Sequence, residues 1–487
     1  MTIAVFFIFL LSTPSSMANV FDQENAAYYD GAIARYLDRY LNGEGYIKNE
    51  TAYRFSEPRS FTKIRNMIYL KGSIPIGNHI KITSTGTAYH DHVYDLFEYD
   101  TIAARSERDS DKPLRFVETL AEQKDSDVID IKEIFVDFKS EHADLRLGKQ
   151  IIVWGVLTGI RIVDEINPQD FRELILPDLL DYRVPLWSAK LNLYNPIFDT
   201  ELIWIPDVRG HKPAPSGSEW ELLQEVPGTE YPSSRDWRKW EIGGKIETEI
   251  FRIKLTLNYF NTRDDFPTIF RHVKLLDLED QTEENQEDPI YSPRYTRMQM
   301  YGGTFSRQLW GQVFKGEAAY VTNKYFGLND IDRNNDGYLD HQGELKRNHL
   351  RMGFGIDFHA WDTDFSPGIS QWYIFNYDHA ILQDRLDSAL NLFLRKKIKS
   401  RQVNFELLAI YLINLKETYI KPKFIIDMTS HFQLTTGMDL FYGEKSKAGV
   451  INPGGRVSDF IRVEQQSQFI GNFNDNKRVF IEFKYNF

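Results

Sequence analysis

The last eleven residues of the chain, KRVFIEFKYNF (residues 477–487), alternate between apolar and polar side chains. Every second residue from Val479 to Phe487 is apolar, whereas Glu482, Lys484 and Asn486 occupy the positions between them. Successive side chains of an extended chain point to opposite faces. The segment therefore predicts a β-strand with one apolar face and one polar face.

The same period of two recurs through most of the chain. It is clear in residues 252–260, 402–411 and 431–442. Alternation of this kind occurs in soluble β-sandwiches as well as in membrane barrels, because both have sheets with one apolar face. The alternation alone therefore predicts an all-β fold without choosing between them.

Strand length and loop length favour a membrane barrel. Many alternating stretches run for ten residues or more, which is long for a soluble sheet and suited to a tilted membrane crossing. Short connections lie near Ile76, Glu141, Asn195 and Lys399, and they alternate with long connections at 100–126, 154–183, 206–235, 262–293 and 323–345. Outer-membrane barrels have tight periplasmic turns and long outer loops.

The end of the chain supports the same fold and allows the strands to be counted. An alternating strand closed by Phe483, Tyr485 and Phe487 resembles the assembly signal of bacterial outer-membrane barrels, which predicts contact with the barrel assembly machinery. If this end and the turn near Ile76 both face the periplasm, the strand that ends at Ile76 must run towards the periplasm. Another strand must then run outward before residue 61, and residues 45–55 are the candidate. We therefore expect a transmembrane antiparallel barrel of 16–18 strands over residues 45–487.

Composition excludes several other classes of protein. The 487 residues include no cysteine, which removes disulfide scaffolds, cysteine zinc sites and cysteine nucleophiles. With 58 basic and 70 acidic residues the net charge is -12, which argues against nucleic acid as a partner. The expected partners are outer-membrane lipid, lipopolysaccharide and a small solute.

The N-terminus predicts export. Residues 3–11 are apolar, and Ser16 and Ala18 place small residues at the -3 and -1 positions of a signal-peptidase site. The pattern predicts a signal peptide over residues 1–18 and cleavage before Asn19. The leader lacks Lys and Arg, so a buried apolar segment is the alternative. Residues 19–44 are predicted as an N-terminal helical segment, because apolar residues recur at helical spacing from Gln23 to Asn42. Export without cysteine indicates the envelope of a Gram-negative cell, and the barrel pattern places the protein in the outer membrane.

One segment, from Leu145 to Trp187, carries a dense motif. It contains Gly148-Lys149-Gln150, Val153-Trp154-Gly155, Asp164-Glu165-Ile166-Asn167-Pro168-Gln169-Asp170, Arg172-Glu173 and Arg183-Val184-Pro185-Leu186-Trp187. This block resembles the hallmark of a Gram-negative outer-membrane family that is catalogued as a domain of unknown function. The resemblance implies a porin-like barrel, and some members of the family are associated with hydrophobic compounds or export. Val156-Leu157-Thr158 departs from the Lys and Asp expected after Trp-Gly.

The charged part of this block is a candidate pore constriction. A strand followed by a proline-broken, charged segment is what a loop folded back into a pore would look like, so we expect residues 155–183 to narrow or plug the lumen. Opposite charges facing each other across a constriction create a transverse field that selects ions. The candidate residues are Arg161, Asp164, Glu165, Asp170, Arg172, Asp181 and Arg183. A lid packed on the outer rim is the alternative.

A second motif, in the long connection at 324–345, predicts a calcium-binding loop. Asp332, Asn334, Asp336, the Tyr338 carbonyl and Asp340 place oxygen ligands at alternate positions, with Gly337 at the sharp turn. Glu344 is displaced by one residue from the usual twelfth position. An ordinary Asn/Asp/Gly turn is the alternative.

Weaker patterns leave the function broad. His90 and His92 share a strand face, but no third metal ligand is visible in the sequence. No GxSxG motif is present, so we do not expect an enzyme. The sequence predicts a passive outer-membrane channel for small or hydrophobic solutes. A surface adhesion or structural barrel and a barrel-embedded hydrolase are the alternatives.

Overall fold

The computed structural model of the protein describes residues 42–96, 127–159, 161–176, 182–214, 218–220, 236–272, 290–329, 331–398, 402–445 and 469–487. These ranges contain twenty strands. The first ten are β1 (Asn42–Arg54), β2 (Ser60–Ile76), β3 (Ile80–Asp91), β4 (Asp127–Lys139), β5 (Ala143–Gln150), β6 (Leu186–Leu193), β7 (Asp199–Ile205), β8 (Glu241–Ile250), β9 (Ile253–Arg263) and β10 (Thr268–His272). The others are β11 (Ile290–Arg294), β12 (Arg297–Leu309), β13 (Gln312–Gly327), β14 (Glu344–Ala360), β15 (Thr363–Ile374), β16 (Leu386–Ile398), β17 (Val403–Leu412), β18 (Glu417–Asp427), β19 (Phe432–Tyr442) and β20 (Arg478–Asn486).

Eighteen of these strands form one closed antiparallel barrel. Strands β1 to β9 and β12 to β20 each pair with the next, β9 pairs with β12, and β20 pairs with β1. Strands β10 and β11 form a separate hairpin. The predicted all-β barrel of 16–18 strands is thereby confirmed. Strand β1 begins three residues before the predicted residue 45, and the signal peptide and nearly all of the N-terminal helical segment lie outside the described residues.

Helical structure among the described residues is limited to short turns. A one-turn α-helix spans Val93–Leu96, and 3-10 turns span Phe171–Glu173, Trp237–Lys239, Asp340–Gly343 and Gly471–Asn476. In the described ranges no helix has the length and apolar character needed to cross a bilayer.

The two ends of the barrel differ in the length of their connections. One end has short turns at 77–79, 140–142, 194–198, 251–252, 310–311, 361–362, 399–402 and 428–431. The other end has the long connections at 92–126, 151–185, 206–240, 264–296, 328–343 and 443–477. The alternation predicted from the sequence is therefore present, and the long connections share one end.

The two faces of the wall follow the period of two. On β9 the Leu257 side chain is 71% exposed and points outward, whereas its neighbours Thr256 and Asn258 are buried and point inward. Phe483 and Tyr485 of β20 lie on the outward face, where they are 40% and 47% exposed, and the terminal Phe487 is also exposed. Their role as an assembly signal remains a prediction.

Candidate functional site

The connection between β5 and β6, residues 151–185, is here called the inner loop, and its described residues (151–159, 161–176 and 182–185) contact the inward face of the wall. The indole Nε1 of Trp154 donates to Glu201 of β7 at 2.5 Å. On other parts of the wall, Arg351 of β14 pairs with Glu165 at 2.9 Å, and the Asn391 side chain of β16 donates to the Thr158 carbonyl at 2.8 Å. These contacts come from strands spread around the barrel, so the described part of the inner loop packs against the inward face of the wall. The predicted narrowing of the lumen, and its alternative of a lid on the rim, remain predictions.

The clamp that shapes the start of the inner loop is the carboxylate of Glu317 on β13. Its Oε1 accepts the backbone amides of Val156 and Leu157, the second at 2.7 Å, and its Oε2 accepts the amide of Val163 at 3.2 Å. A Cβ at Gly155 would lie 3.1 Å from Glu317 Oε1, so glycine leaves room for this approach. A wall carboxylate thus replaces the backbone partners that the loop lacks.

Apolar packing holds the same part of the loop against one side of the barrel. Loop residues Ile152, Trp154, Ile162, Val163 and Ile166 form one buried cluster with inward-facing residues of β7, β9, β12 and β13 and with Leu186. The wall residues are Ile203, Ile205, Phe260, Met298, Met300, Ala319 and Val321. The inner loop is therefore packed against the wall formed by β7, β9, β12 and β13.

The charges inside the loop mostly pair with one another. Arg183 forms a buried ion pair with Asp164, whose carbonyl also accepts from Arg161 Nε at 2.6 Å. Arg172 pairs with Asp170 at 2.5 Å. Buried charges require such partners, because leaving one unpaired is costly.

The three loop arginines thus meet loop carboxylates, as the sequence led us to expect, and these pairs fix the shape of the loop. Glu165 pairs with the wall instead. The role of these residues as a pore constriction remains a prediction. Asp181 lies outside the described residues. Sequence spacing could not show the pairing of Glu165, since its partner is Arg351, nearly two hundred residues later.

A short turn carries the loop to the opposite wall. The Asp170 side chain accepts the Arg172 amide at 3.2 Å and so caps the 3-10 turn Phe171–Glu173. This turn presents Glu173 to Lys63 and to Arg65 NH1, the latter at 2.5 Å, both on β2. Burial raises the pKa of Glu173, but the charges of Arg65 and Lys63 outweigh it and hold the pKa well below its usual range. Glu173 is therefore a charged latch between loop and wall.

Between the latch and the wall lies a cavity of about 290 Å³, here called the chamber. Its wall residues belong to β1 to β4 and β18 to β20, and its other lining residues come from the inner loop and Lys212. The charged lining residues are Lys48, Glu50, Lys63, Arg65, Asp130, Lys132, Asp170, Arg172, Glu173, Arg183, Lys212, Lys421, Lys423, Asp439, Arg478, Glu482 and Lys484. Three of the predicted constriction residues, Asp170, Arg172 and Arg183, thus line this space, and so does Glu173.

The wall residues of the site were not predicted from the sequence. Glu317 and Arg351 sit on inward positions of long alternating strands, and Lys63 and Arg65 occupy alternate positions on β2. Charged residues at the inward positions of a predicted strand are the signal that could have identified them. Their pairing with the inner loop could not be read from spacing.

A histidine from a second connection contacts the inner loop. His211 Nδ1 accepts the backbone amide of Gln169 at 2.7 Å, which requires the proton to be on Nε2. Burial, together with the nearby charge of Arg161, lowers the pKa of His211 to about 3. The imidazole is therefore neutral at physiological pH.

The predicted calcium loop forms a compact outer turn. Gly337, with a positive φ of 82°, donates its amide to Asp332 Oδ2 at 2.8 Å, and the Tyr338 amide donates to Asp336 Oδ1 at 2.8 Å. The Arg333 amide contacts Asp340 Oδ1 at 3.3 Å. Together with Asn334, these carboxylates bond to atoms of their own turn, and calcium binding remains a prediction.

The described residues give no support for a preformed metal centre. His90 and His92 contact each other edge to face, with ring centroids 4.3 Å apart. Within the ranges described above, no three or more His, Cys, Asp or Glu side chains gather closely enough to hold a metal ion.

Residues 70–419 match the model of a protein family whose description reads "Protein of unknown function (DUF1302)". The matched region exceeds two thirds of the chain and contains the whole 145–187 block, which confirms the resemblance drawn from that block. No functionally curated protein matches the chain.

Solved structures with a similar fold include three bacterial proteins. OccAB2 of Acinetobacter baumannii is 11% identical with a TM-score of 0.46, and the match covers 92% of this chain and 98% of that one. OccK2 (OpdF) of Pseudomonas aeruginosa, solved with glucuronate, is 8% identical with a TM-score of 0.48, covering 92% and 97%. A BenF-like porin of Pseudomonas fluorescens Pf-5 is 8% identical with a TM-score of 0.47, covering 92% and 98%.

Proposed function

The chain belongs to the DUF1302 family of proteins of unknown function, and we propose that it is an outer-membrane channel for passive passage of small or hydrophobic solutes. The observation that carries this proposal is the division of the barrel interior. The inner loop packs against β7, β9, β12 and β13, and the chamber of about 290 Å³ lies against β1 to β4 and β18 to β20. A solute path would follow the chamber.

The outer surface supports a place in the outer membrane. Large apolar side chains such as Ile47, Ile246, Leu257 and Phe354 are 40% to 71% exposed on outward positions of the wall. A closed sheet satisfies its backbone hydrogen bonds internally, which is the condition for spanning a bilayer with strands. An exposed apolar surface of this kind is expected to face lipid, with lipopolysaccharide at the end that carries the long connections.

The fixed inner loop supports a narrow passive route. The Glu317 clamp, the Arg183–Asp164 ion pair and the Glu173 latch tie the loop to itself and to opposite walls. A constriction held in this way limits the size of the solute by its geometry, without a moving part. The opposed loop and wall charges beside the path would discriminate among ions.

Reconstitution into a planar lipid bilayer tests the proposal. The purified full-length barrel should give discrete, steady openings of small conductance in KCl. The same preparation denatured by heat is the control for detergent leakage. A folded barrel that inserts but shows no conductance would overturn the channel and would favour surface adhesion or a barrel-embedded hydrolase.

A further inference from the structure

The chamber has a charge opposite in sign to that of the chain. Eleven lysine and arginine side chains line it, against six aspartate and glutamate side chains. Three carboxylates behind the lining, Asp91, Asp164 and Glu406, pair with lining cations. The eleven lining cations still outnumber the nine carboxylates, six in the lining and three behind it. The chain as a whole has a net charge of -12, so composition does not explain this excess.

The cations extend along the wall and are not gathered at one level. Lys484 and Arg478 both line the chamber from β20, and Lys48 of β1 is the pairing partner of Lys484. Six residues of an extended strand cover about 20 Å along the strand, so cations line the chamber at two levels, with Phe480 and Glu482 between them on the same face of β20. A narrow, low-dielectric passage focuses such a field on a passing ion.

Aromatic rings lie between these charges. Arg65 stacks over Tyr89 at 4.2 Å, and Lys484 lies 4.3 Å from the Tyr46 ring centroid. Phe480 also lines the chamber. Ring faces beside cations suit a molecule that has a carboxylate at one end and an apolar body at the other.

We infer that the chamber binds small organic anions, such as aromatic carboxylates, and makes the channel anion-selective. This inference rests on the proposed channel function for its selectivity, but the binding site does not require conductance. The anionic group would contact the lysines and arginines of β1, β2 and β20, and the apolar part would lie against the rings. The chamber volume limits the occupant to one small molecule.

The test compares two double variants with the same change in net charge. Lys132→Glu/Lys484→Glu alters the chamber, whereas Lys239→Glu/Lys254→Glu alters residues outside its lining. Lys254 lies on β9, nine strands from β20 and therefore on the opposite side of the barrel. The permeability ratio of chloride to potassium is obtained from the reversal potential in a tenfold KCl gradient at low ionic strength, where screening is weakest.

The wild-type barrel should prefer chloride, and the chamber variant should lower the permeability ratio by about fivefold or more, while the control changes it by less than about twofold. A cation-selective or unselective wild-type channel would overturn the inference and leave the channel itself intact. Equal effects of the two double variants would also overturn it.

If the barrel shows no conductance, calorimetry with benzoate tests the anion-binding site separately from the channel function. Benzoate binding to the detergent-solubilised full-length protein, weakened about tenfold or more in the chamber variant and not in the control, would retain the site while the channel fails. A silent barrel that binds no benzoate, or binds it equally in both variants, would remove the anion site as well.

Discussion

The carboxylate of Glu317 on β13 accepts the backbone amide of Leu157 in the inner loop at 2.7 Å. The two residues are 160 positions apart in sequence, and the same carboxylate also accepts the amides of Val156 and Val163. A single wall side chain therefore serves three loop amides that no neighbouring strand satisfies. The shape of the loop thus depends on the barrel that encloses it.

Replacing Glu317 with Gln should loosen the inner loop without unfolding the barrel. Glutamine offers one acceptor oxygen in place of two, so at least one amide loses its partner, at a cost of about 1 to 3 kcal/mol. We expect faster trypsin cleavage after Arg161 and noisier channel openings. Glu249→Gln, at an exposed position of β8, is the control, and equal cleavage of the two variants would contradict the clamp.

Acidification should destabilise the protein partly through His211. Its pKa is about 3 in the folded protein and near 6.5 when unfolded, so the unfolded state binds more protons between these values. Stability from this group is complete above about pH 6.5 and falls as pH decreases towards 3, by at most about 1.4 kcal/mol per pH unit.

Urea unfolding of the detergent-solubilised barrel at several pH values measures this effect. His211→Asn keeps a hydrogen-bond acceptor but does not titrate, so the variant should lose less stability than the wild type between pH 7 and pH 4. Parallel losses in the two proteins would show that other groups account for the acid sensitivity.

Calcium should bind the outer turn at 332–340 with millimolar affinity, as is typical of extracellular sites. Asp332, Asn334 and Asp336 stand at alternate positions around Gly337, and bound calcium would have to replace their present bonds to the turn. Calorimetric titration should give heat with the wild type and none with Asp336→Ala. No heat with the wild type, and equal protease resistance of the loop in both proteins, would remove the site.

A substitution in the tight turn between β12 and β13 should stabilise the folded protein. Trp310 and Gly311 both have positive φ, 52° and 77°, and the Trp310 side chain is 87% exposed. Asparagine adopts this conformation more easily than tryptophan, and Asn-Gly is the preferred pair for such two-residue hairpin turns. Trp310→Asn should therefore raise the free energy of unfolding by about 1 kcal/mol. Trp237→Asn, in an outer 3-10 turn, is the comparison, and a less stable Trp310 variant would show that the ring has a necessary contact.

The barrel was predictable because its signals are local. The alternation at 477–487 and in similar stretches indicates each strand separately. The length of each connection indicates the end of the barrel at which it lies. Closing the sheet into a barrel requires only that the number of strands be even. Strand β1 was predicted from this requirement, although its own alternation is weak.

The interior was less predictable because its contacts are not local. The block at 145–187 identified the segment that enters the barrel, and Arg183 and Asp164 do meet. The partners that fix it, Glu317, Arg351 and Lys63, come from strands far away in sequence. Arg172 also meets Asp170, as expected. Spacing cannot reveal which inward side chains converge, so the pairing of Glu165 with Arg351 could not be predicted from the sequence.

The conductance of a barrel that lacks most of its inner loop is the decisive test of whether this loop narrows the channel. Deleting residues 162–179 removes the Glu173 latch and the Asp164 ion pair, and deleting residues 332–340 shortens an outer turn as a control. Single-channel conductance should rise severalfold in the first variant and stay at the wild-type value in the second. Unchanged conductance in a folded barrel that lacks residues 162–179 would contradict this prediction.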